Sequence, residues 1–378
     1  MPRVALVLAA VAVTVICGVA PAMDPHVDPS FVPEGCPACH VGHGESGSPM
    51  LPAPQSELCL GCHGSQGKRD QAVMRGRAGA VPSPRLLSDT LAQPFVHPVD
   101  EHAFSRNEPG AVTCTSCHSA HRGMSVNKSA GEISAVAKRS PRNPMRTEFE
   151  MCLDCHARQG PPTGDPTDIG GLIDPRNPSF HPVKSPSKDG APSVLTSMAG
   201  REINCTDCHG NAASGGARGP HGSPVKGILK VGYSATDGNA ESEQAYGLCY
   251  SCHSRAAVLD SERFPQHRLH VTSVKASCST CHNPHGSASL RALIRFDEKP
   301  ARSMVAPTAM TGQLAFVSDS PGSGACYLSC HGYEHAPATY GGMAADLGLD
   351  LTEPARGFSS VPDGRLRPER TRGSRGRE

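Results

Sequence analysis

The longest apolar run, Val4 to Ile16, follows Arg3 and precedes Ala20-Pro21-Ala22. A charged start, a short apolar stretch and an A-x-A site read as a secretory signal over residues 1–22, too short to span a bilayer. Cys17 offers a lipid-modified amino terminus as the second reading. Further along, Thr147-Glu148-Phe149-Glu150 has the form of a capping box and predicts a helix running through Cys152. The similar stretches ELCLGCH, GLCYSCH and GACYLSCH, ending at His63, His253 and His331, are expected on helices too. Pro220 and Pro284 stand just before His221 and His285 and predict turns there. From Pro354 to Glu378 the chain is Arg-rich and lacks apolar periodicity, the pattern of a disordered tail.

Composition sharpens this loop-rich picture. Of 378 residues, 40 are Gly and 35 Pro, only 4% are aromatic, and Trp is absent. Such a chain needs something besides side chains to pack around. Lys and Arg total 36 against 35 Asp and Glu, so no basic face for nucleic acid is expected. Seventeen Cys and nineteen His call for metal sites.

Their spacing specifies the chemistry. Seven C-x-x-C-H motifs occur: Cys36, Cys39, His40; Cys59, Cys62, His63; Cys114, Cys117, His118; Cys152, Cys155, His156; Cys205, Cys208, His209; Cys249, Cys252, His253; and Cys278, Cys281, His282. An eighth, Cys326, Cys330, His331, carries one extra residue between its cysteines. His after all eight pairs has a chance probability on the order of 10⁻¹¹ from composition. Zinc ribbons and iron–sulfur sites do not need that His. C-x-x-C-H is the attachment motif of c-type haem. Each thiol adds to a porphyrin vinyl group, and the following His ligates iron. On a helix, i, i+3 and i+4 fall on one face. The expectation is eight covalent haems c, supplying the missing core and making a near-neutral polypeptide acidic through their propionates.

The motifs alternate. One type sits on the helix-like sequences above. The other is preceded by one His and followed by another, as in PFVHPV…CTSCHSAHRG and SFHPVK…CTDCH…PHGS. The reading is a half unit over 23–50, doublets over 51–145, 146–240 and 241–320, a closing half unit over 321–353, and the tail over 354–378. The stretch 160–192, rich in Gly and Pro, reads as the joint between modules. The fold class expected is mostly irregular, with short α-helices packed around a haem chain.

These motifs resemble the doubled C-x-x-C-H family of bacterial multihaem cytochromes c, over roughly residues 24–336. The resemblance implies low-potential electron transfer in the periplasm or at the cell surface. It also implies redox partner proteins: other cytochromes, a quinol dehydrogenase or an outer-membrane conduit.

Eight further His recur with the repeat and are expected as sixth ligands: upstream His26, His97, His181 and His270, and downstream His43, His121, His221 and His285. His267 competes with His270, while His102 and His335 are left over. Met124 and Met198 do not recur with the repeat. Within doublets, His97, His181 and His270 are expected to serve motifs 2, 4 and 6. That rule leaves His26 spare and motif 8 without a ligand, which suggests head-to-tail self-association into a filament. Closure by His335 within one molecule is the alternative. An electron carrier is the leading function. A reductase or oxidase of small nitrogen or sulfur compounds, with one open haem, is the second, and a filament protomer the third.

Overall fold

The computed structural model describes residues 26–42, 50–80, 86–121, 147–157, 168–186, 190–261, 263–296, 305–330 and 332–343, apart from positions 106, 107, 109 and 214, together with the backbone of the short strands Val126–Asn127 and Glu132–Ile133. The signal, the Arg-rich tail, His43 and His331 lie outside them.

Helices Gln55–His63, Gln66–Met74 and Glu148–His156 have nine residues each, and no other helix among the described residues exceeds five. The capping box forms as expected: Glu150 N–H donates to Thr147 Oγ1 at 3.4 Å, and Thr147 N–H donates to the Glu150 carboxylate at 3.2 Å. Two orphan donors at the helix start are thereby satisfied. None of the described helices is long and apolar enough to cross a membrane.

Side-chain packing is thin. Among the described residues seventeen apolar side chains are buried, and seven of those are Ala. Eight of them gather into two small clusters, Ile294, Phe296, Val305, Phe316 and Leu328, and Tyr246, Leu259 and Val271. Neither reaches the remainder of the chain. The loop-dominated fold class is what the sequence leads one to expect.

One element differs. GACYLSCH forms no helix; Gly324–Cys330 is a strand, paired antiparallel with Tyr333–Tyr340, Ala315–Val317 and Val305–Ala306. The reason is tertiary: Leu328 is buried with Val305 and Phe316, so cross-strand packing overrides the helical reading.

Two further β-bridges tie distant segments. Phe95–Val96 pairs with Gly222–Ser223, and Ser179–Phe180 pairs with Gly286–Ser287, in equivalent register. Each ends in a hydrogen bond between histidine backbones, His97 N–H to His221 O and His181 N–H to His285 O, both 3.2 Å. Glycine follows the downstream His because backbone crowds it. A Cβ on Gly222 would lie 2.1 Å from Thr90 O, and one on Gly286 2.0 Å from Leu172 O. The described part of 160–192 is therefore organised chain, with helix Ile169–Leu172 capped by Asp168 and strand Ser179–Phe180 leading into His181.

Candidate haem-binding sites

Each C-x-x-C is one tight turn. Cys114–Cys117, Cys205–Cys208 and Cys278–Cys281 are single helical turns, and Cys36–Ala38 is 3₁₀. The His N–H closes the turn onto the first Cys carbonyl at 2.8–3.0 Å in motifs 1, 3, 5, 6 and 7. Both thiols and the imidazole are thus delivered by five consecutive residues.

Every one of these histidines that is described faces a second one. Ring centroids lie 5.9 Å apart in His26–His63 and His40–His121, 6.1 Å in His97–His156 and 5.7 Å in His118–His221. They lie 6.4 Å apart in His181–His253 and 6.2 Å in both His209–His285 and His267–His282. An eighth pair, His270–His335, stands at 6.3 Å. An iron between two imidazole nitrogens separates them by about 4 Å, twice a metal–nitrogen bond of about 2 Å, and ring centroids by roughly 6 Å. In His118–His221 the two Nε2 atoms face each other at 3.5 Å.

In four of these histidines a backbone carbonyl holds the opposite ring nitrogen. Nδ1 of His209 bonds Gly227 O, that of His282 bonds Ala292 O and that of His270 bonds Gln266 O, each at 2.8 Å; His181 Nδ1 bonds Pro284 O. A carbonyl only accepts, so Nδ1 carries the proton and Nε2 keeps its lone pair. Metal-bound histidines are oriented in this way. Burial adds to it, holding many of these imidazoles below the ordinary histidine range, His118 and His267 at about 4. They stay neutral, the form that binds metal.

The pairing follows a rule different from the one expected within doublets. Upstream His26, His97 and His181 face the proximal His of motifs 2, 4 and 6, so each serves the even motif that follows it rather than the one before. Downstream His121, His221 and His285 reach back two motifs, to 1, 3 and 5. The β-bridges explain this. They set the upstream His of one doublet beside the downstream His of the next, and the two side chains diverge. His26 is consequently not spare, and the premise for a head-to-tail filament falls away.

His267, the rival to His270 on sequence grounds, and His335, the alternative closure of motif 8, both enter pairs. His267 takes motif 7, where no later doublet exists to supply a downstream His. Their signal was their position, just where the repeat runs out. His102 is exposed on a turn, its N–H donating to Asp100 Oδ1 at 2.8 Å.

Consecutive motifs neighbour one another in chain order. Within doublets thiols lie side by side, Cys59 with Cys114, Cys152 with Cys205 and Cys249 with Cys278. Between doublets, Cys39 lies within electrostatic reach of Cys62, Cys117 of Cys155, Cys208 of Cys252, and Cys281 of both Cys326 and Cys330. Polar clamps reinforce the doublets. Gln55 Oε1 accepts from Thr115 N–H at 2.8 Å, and buried Glu148 accepts from Thr206 N–H at 2.6 Å and Thr206 Oγ1 at 2.8 Å. Asp237, just before the third doublet, accepts from Ser277 N–H at 2.7 Å. Among the described residues all sixteen motif cysteines are free of disulfides.

The residues fit haem. Thiol pairs stand beside opposed imidazoles, and one continuous cavity of about 4010 Å³ runs past five of the eight His pairs. Side chains that leave such a cavity are arranged around a cofactor rather than around one another.

Known proteins agree. Residues 30–68 match the family described as the doubled CXXCH motif, and residues 205–304 match the cytochrome c-type protein NrfB-like family. The multihaem cytochrome MtrA of Shewanella baltica is 25% identical over 226 residues, covering 53% of each chain. This chain therefore spans about half the length of that curated relative. No solved structure matches it. The paired motifs indicate covalently bound haem c, and over the matched stretches the chain is similar to multihaem c-type cytochromes.

Proposed function

We propose that the chain is an octahaem cytochrome that carries electrons along a single file of bis-histidine, low-potential haems in periplasmic or extracellular respiration. The observation that carries this reading is the set of eight imidazole pairs, each at the separation one iron requires. Haem supplies a one-electron iron couple when bound; everything else is the work of the chain.

Sixteen cysteines anchor the cofactors, two to each. His40, His63, His118, His156, His209, His253 and His282 would each hold an iron from one side, and His121, His26, His221, His97, His285, His181 and His267, in that order, would hold it from the other. With both positions filled by protein, no site is left for a substrate, which weighs against the reductase or oxidase reading. The thiols of consecutive motifs lie within electrostatic reach of one another from motif 1 to motif 8, which supports a path following the sequence. A path of that kind needs a donor at one end and an acceptor at the other. Other cytochromes, a quinol dehydrogenase or an outer-membrane conduit fit those roles. Export rests on the signal over residues 1–22.

Low-temperature EPR of the oxidised protein, with its intact mass, tests the reading. Eight covalent haems, all low-spin, are expected. Fewer than eight, or a high-spin centre that binds nitrite or CO with multiple turnovers, would overturn it. Amino-terminal sequencing of the protein recovered outside the cytoplasm should begin just after Ala22.

A further inference from the structure

The pairing rule assigns His270, upstream of motif 7, to motif 8, and the structure places it there. What faces His270 is His335, at 6.3 Å between ring centroids. His335 is four residues beyond the motif histidine, His331.

The local backbone accounts for the change. In motifs 1 to 7 a tight turn brings the histidine after the second Cys round to the thiols. Motif 8 has an extra residue and lies on a strand, so that turn is missing. The neighbouring strand supplies the alternative. Tyr333–Tyr340 pairs with Gly324–Cys330 in the register Cys330↔Tyr333 and Leu328↔His335. Cross-strand partners share a face and alternate residues of a strand share a face. Cys326, Leu328, Cys330 and His335 therefore project from one side of the hairpin. Cys326 and Cys330 are both within electrostatic reach of Cys281, the second cysteine of motif 7.

Aromatic rings brace both imidazoles. Tyr333 packs edge-on against His335 at 5.0 Å, and Phe264 lies 5.7 Å from His270 while meeting Tyr340 edge-on at 4.9 Å. Glu334 accepts from Thr308 Oγ1 and, at 3.0 Å, from Ala309 N–H, which pins the strand at the residue before His335. Phe316 and Leu328 form an apolar wall of the same cavity.

We propose that the haem at motif 8 is ligated by His335 and His270, with the motif histidine His331 not serving as a ligand. The inference rests on the reading of the histidine pairs as bis-imidazole haem sites. It departs from the rule that the axial ligand directly follows the second cysteine. The extra residue of Cys326–Cys330 then marks a site built on a hairpin face, with one ligand from each of two elements far apart in sequence.

The test uses the full-length holoprotein with His331→Ala and His335→Ala variants, read by intact mass and by EPR spin counting. The wild type comes first: eight low-spin haems uphold the underlying reading, and any other count overturns that reading before the variants are consulted. Given eight, His331→Ala should keep eight low-spin haems. His335→Ala should keep eight haems by mass while one becomes high-spin and binds CO on reduction. His335→Met, which returns a ligand to the same position, should restore the low-spin count and raise one potential. Loss of a low-spin haem in His331→Ala, or an unchanged count in His335→Ala, would overturn the assignment. If His335→Ala fails to accumulate, His331→Ala and His335→Met decide it.

Discussion

The backbone N–H of His97 donates to the carbonyl oxygen of His221 at 3.2 Å, yet their imidazoles turn to different partners, His156 and His118. One two-residue β-bridge thus positions ligands for two motifs. His181 and His285 repeat the arrangement one doublet later, toward His253 and His209.

This divergence gives an additive prediction. His97→Ala and His221→Ala should each convert one of eight haems from low-spin to high-spin, and the double variant should convert two. EPR spin counting reads the outcome. A double variant that matched either single one would mean that the two histidines serve the same iron.

The glycines beside these histidines should be intolerant. Gly222→Ala and Gly286→Ala push a methyl group against Thr90 O and Leu172 O, and overpacking of this sort costs about 1–3 kcal/mol. Both should lower the thermal midpoint. Gly67→Ala is the counter-case, with nothing within 4 Å of the added carbon inside helix Gln66–Met74. Helix propensity there favours Ala by up to about 1 kcal/mol, so its midpoint should hold or rise.

How much of this was legible beforehand depended on the length scale. The haem motifs, the helix begun by Thr147, the loop-rich fold class and the repeated histidines were all local or periodic, and pattern alone exposed them. The partner of each histidine was not. Pairing is set by β-bridges such as Phe95 with Ser223, which span more than a hundred residues and leave only a short H-G-S in the sequence. Motif 8 misled for a related reason. Cys326 to Cys330 resembles its helical counterparts locally, but the strands around it decide its conformation. His267 and His335 do not recur, so pattern offers them only as a rival to His270 and as one closure of motif 8; they stand where the repeat ends and an ordinary partner is lacking.

The doublet clamp gives a stability prediction. Glu148→Ala leaves the Thr206 N–H and hydroxyl without their acceptor in a partly buried contact, at a cost of about 1–3 kcal/mol. Glu148→Gln keeps one acceptor oxygen and should lose less. Chemical denaturation of the three proteins orders them wild type, Gln, Ala.

Acid should act through Glu241. Arg255 bonds its carboxylate through Nε at 2.8 Å and through a terminal guanidinium nitrogen, and Tyr250 Oη donates to it at 2.9 Å. The Arg255 guanidinium, chiefly, holds this carboxyl below the ordinary glutamate value of 4.5. The unfolded chain then takes up the proton first, so the contribution is full above that value and disappears as pH falls through the folded one. Glu241→Gln should have a lower thermal midpoint than wild type at neutral pH and a shallower decline below about pH 4.5, and the two curves should converge in strong acid. Parallel curves would rule the contact out as the cause.

The direction in which each upstream and downstream histidine reaches has a consequence for the order in which the protein is made. His26, His97 and His181 are synthesised before motifs 2, 4 and 6, so those sites are complete once their own cysteines emerge. Motifs 1, 3 and 5 wait for His121, His221 and His285, each of which arrives with a later doublet. Every doublet added therefore closes a site opened by the one before it, like a zip drawn from the amino terminus. His267 and His270 are made before the cysteines of motifs 7 and 8, so those sites wait for no later doublet. On this pairing, a chain released before His121, His221 or His285 would lack the partner of His40, His118 or His209.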